Sequence, residues 1–275
     1  QKKSRLVTEV DKRITAYHEG GHAIVAYRLA PNCDPVHEIS IIPRGNAAGY
    51  TMTRPDNDDN HITFNKLTAN IAMTMGGRAA EELVIKDISA GASGDIKMAT
   101  ERARKMVTEW GMSERVGLVT YSADNPIFLG RDMEAHNSYS EETAGMIDEE
   151  VHKIISAAHD RAVKLLTENR KALDTMARVL IERETIYTEE VDLIMDGKSV
   201  EEIYAYMDRY EKEERENPFK RFMDAEVNKE KTAAKKTEEA EQKADENAAK
   251  KTDAPVDRVE EKEENPSSET PEEKK

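Results

Sequence analysis

The stretch Ala16-Tyr17-His18-Glu19-Gly20-Gly21-His22-Ala23-Ile24-Val25 constrains this chain more than any other. Read as a helix, it sets His18 and His22 one turn apart on the same face, where both imidazoles can reach one metal ion. Glu19 lies beside the first histidine but about 100° round the helix, so it can border an open coordination position without being a ligand. A zinc ion held by two histidines and a carboxylate keeps a water whose pKa falls to about 7, and a neighbouring carboxylate can take its proton. That combination suits attack on an amide. Ile14, Tyr17, Ile24, Val25 and Leu29 recur at helical spacing, which predicts a buried helix carrying the pair. Gly20 and Gly21 each cost about 1 kcal/mol in a helix interior, so they need a reason such as close backbone packing.

Composition narrows the partners. The formal net charge of −15 argues against nucleic acid as the main one, although much of the acidity lies near the C-terminus. The lone Cys33 excludes an internal disulfide framework and suits a reducing compartment. No apolar run approaches the 18 or so residues of a membrane span. The chain opens at Gln1 without a leader pattern, and is expected to be a portion of something longer.

Residues 1–12 read as a linker or the frayed start of the first helix, with Thr8-x-x-Asp11 as a cap signal. The histidine helix stops before Pro31. Val36 to Ile42 reads as a strand ended by Pro43, Arg44 to Gly49 as a turn, and Tyr50 to Thr53 as a second strand completing a hairpin. An edge strand there could pair with an extended peptide; an ordinary structural hairpin is the alternative. Asp56-Asn57-Asp58-Asp59 lacks the spaced ligands and closing glutamate of a calcium loop, and reads as solvated. Thr63 caps a helix running through Leu67, Ile71 and Met75 to Leu83, and a small-residue turn over 89–95 leads into another over 96–110. From Ser140 onward the pattern is helical: Ile147, Val151, Ile154, Ala158, Ala162 and Leu165, then Leu173, Met176 and Leu180, then two short helices opened by Thr188 and Ser199. Gly197-Lys198-Ser199 echoes a phosphate-binding loop, but Asp192 stands where the loop needs its first glycine. After Phe222 there is no Leu, Ile or aromatic residue, so the segment cannot bury enough apolar surface to order itself. The expected organisation is a linker over 1–12, a mainly α domain with a small β hairpin or sheet over 13–210, and a charged, largely disordered tail over 211–275.

A third metal ligand has to come from the residues after the hairpin. The extended His-Glu-x-x-His pattern of the metzincins fails, because Val25 and Arg28 stand where it requires Gly and His. Glu38 is in a strand rather than a following helix. Glu81, Glu82, Asp87 and Asp95 remain, with His37 and His61 behind them, and spacing does not choose among them.

Several blocks then match one family in order. His18-Glu19-Gly20-Gly21-His22, Ile41-Ile42-Pro43-Arg44-Gly45, Gly49-Tyr50, Gly76-Gly77-Arg78-Ala79-Ala80-Glu81-Glu82 and Gly91-Ala92-Ser93-Gly94-Asp95-Ile96 resemble the C-terminal peptidase domain of the FtsH family. Those are membrane-anchored, ATP-dependent zinc metalloproteases of bacteria and organelles. Trp110-Gly111-Met112-Ser113, Phe128-Leu129-Gly130-Arg131 and Tyr139 to Thr143 extend the resemblance to about Tyr187, roughly two thirds of the chain. One departure is small: the family usually has Ala-Gly where this chain has Gly20-Gly21.

The resemblance implies a zinc endopeptidase acting on unfolded or misassembled polypeptides, with His18, His22 and Asp95 as ligands and Glu19 as catalytic base. It implies Glu81 as the partner that orients a ligand histidine; a solvated helix face is the alternative for Glu81 and Glu82. It further implies a homo-hexamer, attachment to the bacterial plasma membrane with this domain on the cytoplasmic side (an organelle membrane as alternative), and ATP and Mg2+ in an ATPase module outside these residues. Two other readings compete. One is an inactive homologue serving assembly or substrate holding, which the intact Glu19, His18, His22 and Asp95 oppose. The other is a helical oligomerisation module in which the histidines are core residues.

Overall fold

A computed structural model describes residues 7–45, 47–55, 61–121 and 139–217. Helix α1 (Glu9–Arg28) begins where the sequence signals it. Thr8 Oγ1 accepts from the Asp11 N–H, and the Asp11 carboxylate accepts from the Thr8 N–H in return, so two unpaired helix-end donors are satisfied. Strands β1 (Val36–Ser40) and β2 (Tyr50–Thr53) form the expected antiparallel hairpin, with Ile39 opposite Thr51. Helix α2 (Phe64–Ala80) is capped by Thr63 and passes into one π-helical turn, Glu81–Ile85, closed by Lys86 at φ 59°. A short 3-10 turn, Ala90–Ala92, leads into α3 (Ser93–Thr108). Then come α4 (Glu141–Glu168), α5 (Arg170–Arg183), β3 (Thr185–Tyr187), α6 (Thr188–Met195) and α7 (Val200–Glu216). Ser199 and Glu202 form the cap at the start of α7.

Strand β3 turns the hairpin into a three-stranded antiparallel sheet of order β2-β1-β3. Three residues are too few to show a period of two, which is why this strand has no sequence signature of its own. It joins the sheet because Glu184, at φ 62°, turns the chain out of α5 and its carbonyl accepts from the Ile41 N–H at 2.9 Å. Helix α7 is longer than the short helix expected there. The segments 56–60, 122–138 and 218–275 lie outside the described residues, and with them the acidic loop, the Phe128–Arg131 block and most of the segment expected to be disordered. Among the described residues, no helix is long and apolar enough to cross a membrane.

The core is built on α2, which packs against α1, α3 and α4. Leu67, Ile71, Met75 and Ala79 bury one side of it, while Ile24, Val25, Met106, Ile147 and Leu166 close in from the partner helices. Its crossing with α1 is what needs the paired glycines. A Cβ on Gly21 would stand 2.4 Å from the Gly76 carbonyl oxygen and 2.7 Å from Ala80 Cβ, and one on Gly76 would stand 2.7 Å from the Gly21 oxygen. The two backbones therefore touch. The propensity lost at these positions is offset by an approach that no larger residue permits.

Candidate metal centre

Helical periodicity brings the two histidines together: the rings of His18 and His22 stand edge to face, their Nε2 atoms 3.1 Å apart. Asp95, in the first turn of α3, reaches the same point. Its Oδ2 lies 3.1 Å from His18 Nε2 and 3.5 Å from His22 Nε2. Among the described residues this is the one cluster of His, Cys, Asp or Glu side chains able to hold a metal ion.

The groups behind each ring set its tautomer. His22 Nδ1 is 2.8 Å from the Met73 carbonyl oxygen, a group that only accepts, so this nitrogen carries the proton and donates. The Gly77 N–H, at 3.3 Å, is the longer contact to the same atom and does not decide it. His18 Nδ1 likewise faces a carboxylate oxygen of Glu81 at 2.8 Å. Both Nε2 atoms of the neutral rings then turn bare lone pairs toward each other and toward an anionic Asp95 oxygen. Three acceptors converging with no donor between them require a cation or an extra proton. The donor set, two imidazoles and one carboxylate, is that of an open four-coordinate zinc site.

Glu81 is held from several sides. It is 1% exposed, and besides His18 it accepts from the Ser89 N–H at 2.9 Å and the Ser89 hydroxyl at 3.0 Å. Burial alone would raise its pKa, but the hydrogen bond from His18 and those from Ser89 hold it below the usual carboxylate range. Asp95 follows the same balance: burial opposes ionisation, and the adjoining His18 and His22 rings pull it well below the carboxylate range. At His18, burial disfavours the charged ring, yet Asp95 and Glu81 overcome this and raise it to about 10 in the metal-free protein. The same surroundings favour positive charge at this point.

Space is reserved as well. A Cβ on Gly77 would fall 2.5 Å from His18 Cε1 and 2.6 Å from each of the two Nε2 atoms. The bare Cα of α2 is what leaves room beside both nitrogens. Glu19, 7% exposed, accepts from the Thr51 hydroxyl through Oε2 at 2.8 Å.

The remaining sequence candidates lie elsewhere. Glu82 pairs with Arg78 at 2.6 Å and faces His159 of α4 at 3.1 Å, close enough for an ion pair but misaligned for a hydrogen bond. Asp87 is exposed and accepts from the Ile88 N–H, and Glu38 accepts from the Tyr50 hydroxyl. His37 and His61 belong to no metal-capable cluster among the described residues. Sequence reasoning missed the Met73 carbonyl, Ser89, Thr51 and the function of Gly77. Only the Gly76-Gly77 pair, costly inside a helix, carried a signal that could have exposed one of them.

Fold and site together define a class: a mainly helical domain with a metal-capable pair of histidines on one helix, a buried glutamate beside the first, and a carboxylate from a later helix. The chain belongs to peptidase family M41, whose family model matches residues 5–194. It is 48% identical over 197 residues to the ATP-dependent zinc metalloprotease FtsH 3 of Symbiobacterium thermophilum, covering 71% of this chain and 31% of that protein. It is 43% identical over 238 residues to the ATP-dependent zinc metalloprotease FtsH of Veillonella parvula, covering 86% of this chain and 36% of that one. The chain therefore spans about a third of the length of the curated relatives it matches.

Proposed function

We propose that this chain supplies the zinc-peptidase activity of an ATP-dependent, membrane-anchored protease that cleaves unfolded or misassembled polypeptides. His18, His22 and Asp95 hold the metal. Zinc bound in such a site acidifies a coordinated water and polarises the scissile carbonyl. Glu19 takes the proton of the attacking water on its carboxylate and passes it to the departing amide nitrogen. Glu81 orients His18 by accepting from Nδ1, keeping Nε2 free as a ligand.

The observation that carries this reading is the pair of Nδ1 contacts, to Glu81 and to the Met73 carbonyl, which turn both Nε2 lone pairs onto one point beside Asp95. The larger assembly is part of the same proposal: ATP dependence follows the names of the relatives above, and the hexamer and membrane anchor follow the family resemblance read in the sequence. A homo-hexamer anchored at the bacterial plasma membrane, or an organelle membrane, would carry this domain on its cytoplasmic side and feed it from an ATPase module that uses ATP and Mg2+. The peptidase domain would occupy 13–210, with a linker over 1–12 and an acidic tail over 211–275.

Zinc content and casein cleavage of this chain and of Glu19→Gln test the reading. About one zinc in both proteins, with cleavage in the wild type alone, is the expected result. Zinc in both with cleavage in neither sends the same pair of variants into the full-length protein with ATP. Persistent inactivity there would favour the inactive homologue, and absence of zinc would overturn the metal centre.

A further inference from the structure

Glu19 is buried, and among the described residues a single side chain is hydrogen-bonded to its carboxylate. The Thr51 hydroxyl lies 2.8 Å from Glu19 Oε2 and 3.1 Å from the Glu19 backbone oxygen. A hydroxyl has one proton to give, and the nearer, charged oxygen takes it. No other group among the described residues engages Oε1.

The contact comes from the strand, not from the histidine helix. β2 is one of the two edge strands of the sheet, and at Gly49 and Thr51 the chain is pressed against α1. A Cβ on Gly49 would meet Thr15 Cγ2 at 2.7 Å and Glu19 Cγ at 3.0 Å, so only glycine lets the strand come this close. By strand alternation Thr51 faces α1, while Tyr50 and Met52 point to the other side of the sheet. Tyr50 donates to Glu38 and Met52 is substantially exposed.

We propose that Thr51 is a positioning residue for the peptidase reaction: its hydroxyl holds Oε2 of Glu19 against β2 and leaves Oε1 to receive the proton. This rests on the reading of Glu19 as the base. A threonine that merely clasps strand to helix would contribute to melting temperature and to nothing else, so the test separates the two.

The experiment uses the zinc-loaded chain with Thr51→Val and Thr51→Ser, and reads zinc stoichiometry, affinity for a peptide hydroxamate, and kcat and KM on a fluorogenic peptide. A hydroxamate bound at such a centre shares its proton with the base, so its affinity reports the orientation of Glu19 without turnover. Thr51→Val is expected to keep one zinc per chain, to weaken hydroxamate binding about tenfold, and to lower kcat by a similar factor at unchanged KM, the loss of one charge-assisted hydrogen bond. Thr51→Ser, which keeps the hydroxyl, should return to within about twofold of wild type. In a Glu19→Gln background Thr51→Val should weaken hydroxamate binding no further, because its partner charge is gone. Thr51→Ala adds no atom to the crowded contact and replaces Thr51→Val if that variant unfolds. Unchanged hydroxamate affinity in zinc-loaded Thr51→Val, or a Thr51→Ser variant as impaired as Thr51→Val, would overturn the proposal while leaving the metal centre intact. A wild-type chain that bound neither zinc nor hydroxamate would remove the reading beneath it instead.

Discussion

Gly77→Ala adds one methyl group directly against the two histidine rings. Its Cβ would stand 2.5 Å from His18 Cε1 and 2.6 Å from the Nε2 atoms of His18 and His22. Ordinary contact between such atoms is about 3.5–4.0 Å, so the overlap is about 1 Å against both rings. Neither ring can retreat freely, since His18 is tied to Glu81 and His22 to the Met73 carbonyl, each at 2.8 Å. The helices cannot part either, because the Gly21–Gly76 crossing one residue away holds the backbones in contact. At least one imidazole must leave its place. Overpacking of this kind costs about 1–3 kcal/mol, and alanine returns about 1 kcal/mol of helix propensity. The metal-free variant should therefore melt within several degrees of wild type, at about 2–4 °C per kcal/mol for a domain of this size. Zinc affinity should suffer far more. Loss of a mere orienting partner costs about 10- to 100-fold, and displacing a ligand itself should exceed the upper end. Competition against a chromophoric chelator, with circular dichroism of the chelator-treated protein as the folding control, measures both quantities. Gly77→Ala binding one zinc at wild-type affinity would refute the reasoning. So would a melting loss that His18→Ala fails to relieve in the double variant, because the clash would then lie between the helices rather than at the rings.

Gly21→Ala and Gly76→Ala should behave in the opposite way, lowering the melting temperature of the metal-free chain by at least the equivalent of about 1–3 kcal/mol through the backbone contacts they violate. A thermal melt in excess chelator checks this. Glu81→Gln should weaken zinc binding about 10- to 100-fold, read by chelator competition, because it discharges the group that orients His18. The metal-free chain should also show a definite pH dependence of melting. His18 is raised from about 6.5 unfolded to about 10 folded, so its stabilisation is fully present below pH 6.5 and is lost as the pH rises to about 10. Asp95 and Glu81 are lowered, so theirs is present above about pH 4 and is lost as the pH falls. Zinc should reverse the alkaline limb, since the metal replaces the His18 proton and binds up to about tenfold more tightly per pH unit there. A flat melting profile from pH 6 to 10 without metal would contradict the electrostatics of the cluster.

What the sequence disclosed, and what it withheld, follows the range of the interactions involved. The histidine helix, its Thr8 cap and the Tyr50–Thr53 strand are visible because each depends on spacing within a few residues. Asp95 could not be chosen by spacing. It meets His18 only because α2 and α3 fold the intervening residues back, and the four-way choice among Glu81, Glu82, Asp87 and Asp95 is a tertiary question. Glu81 and Glu82 show this most sharply. Adjacent in sequence and identical in chemistry, they face apart, Glu81 inward to His18 and Ser89, Glu82 toward Arg78 and His159. The π-helical turn that begins at Glu81 has no pattern by which it could be read beforehand.

The glycines were legible as costs but not as functions. Gly20-Gly21 and Gly76-Gly77 each look like defects in a helix until the other pair is placed beside them. Once α1 and α2 cross, Gly21 and Gly76 account for the approach of the backbones and Gly77 for the space beside the rings, while a Cβ on Gly20 would make only ordinary contact with Leu173 and Met176 of α5. Metal binding at the proposed site would thus depend on atoms the sequence leaves out: the histidines would supply the donors, and the missing side chains of α2 leave the room in which those donors converge. Any residue larger than glycine at 77 would keep the His-Glu-x-x-His signature intact and fill that room, so the motif by itself is an incomplete criterion for a working site.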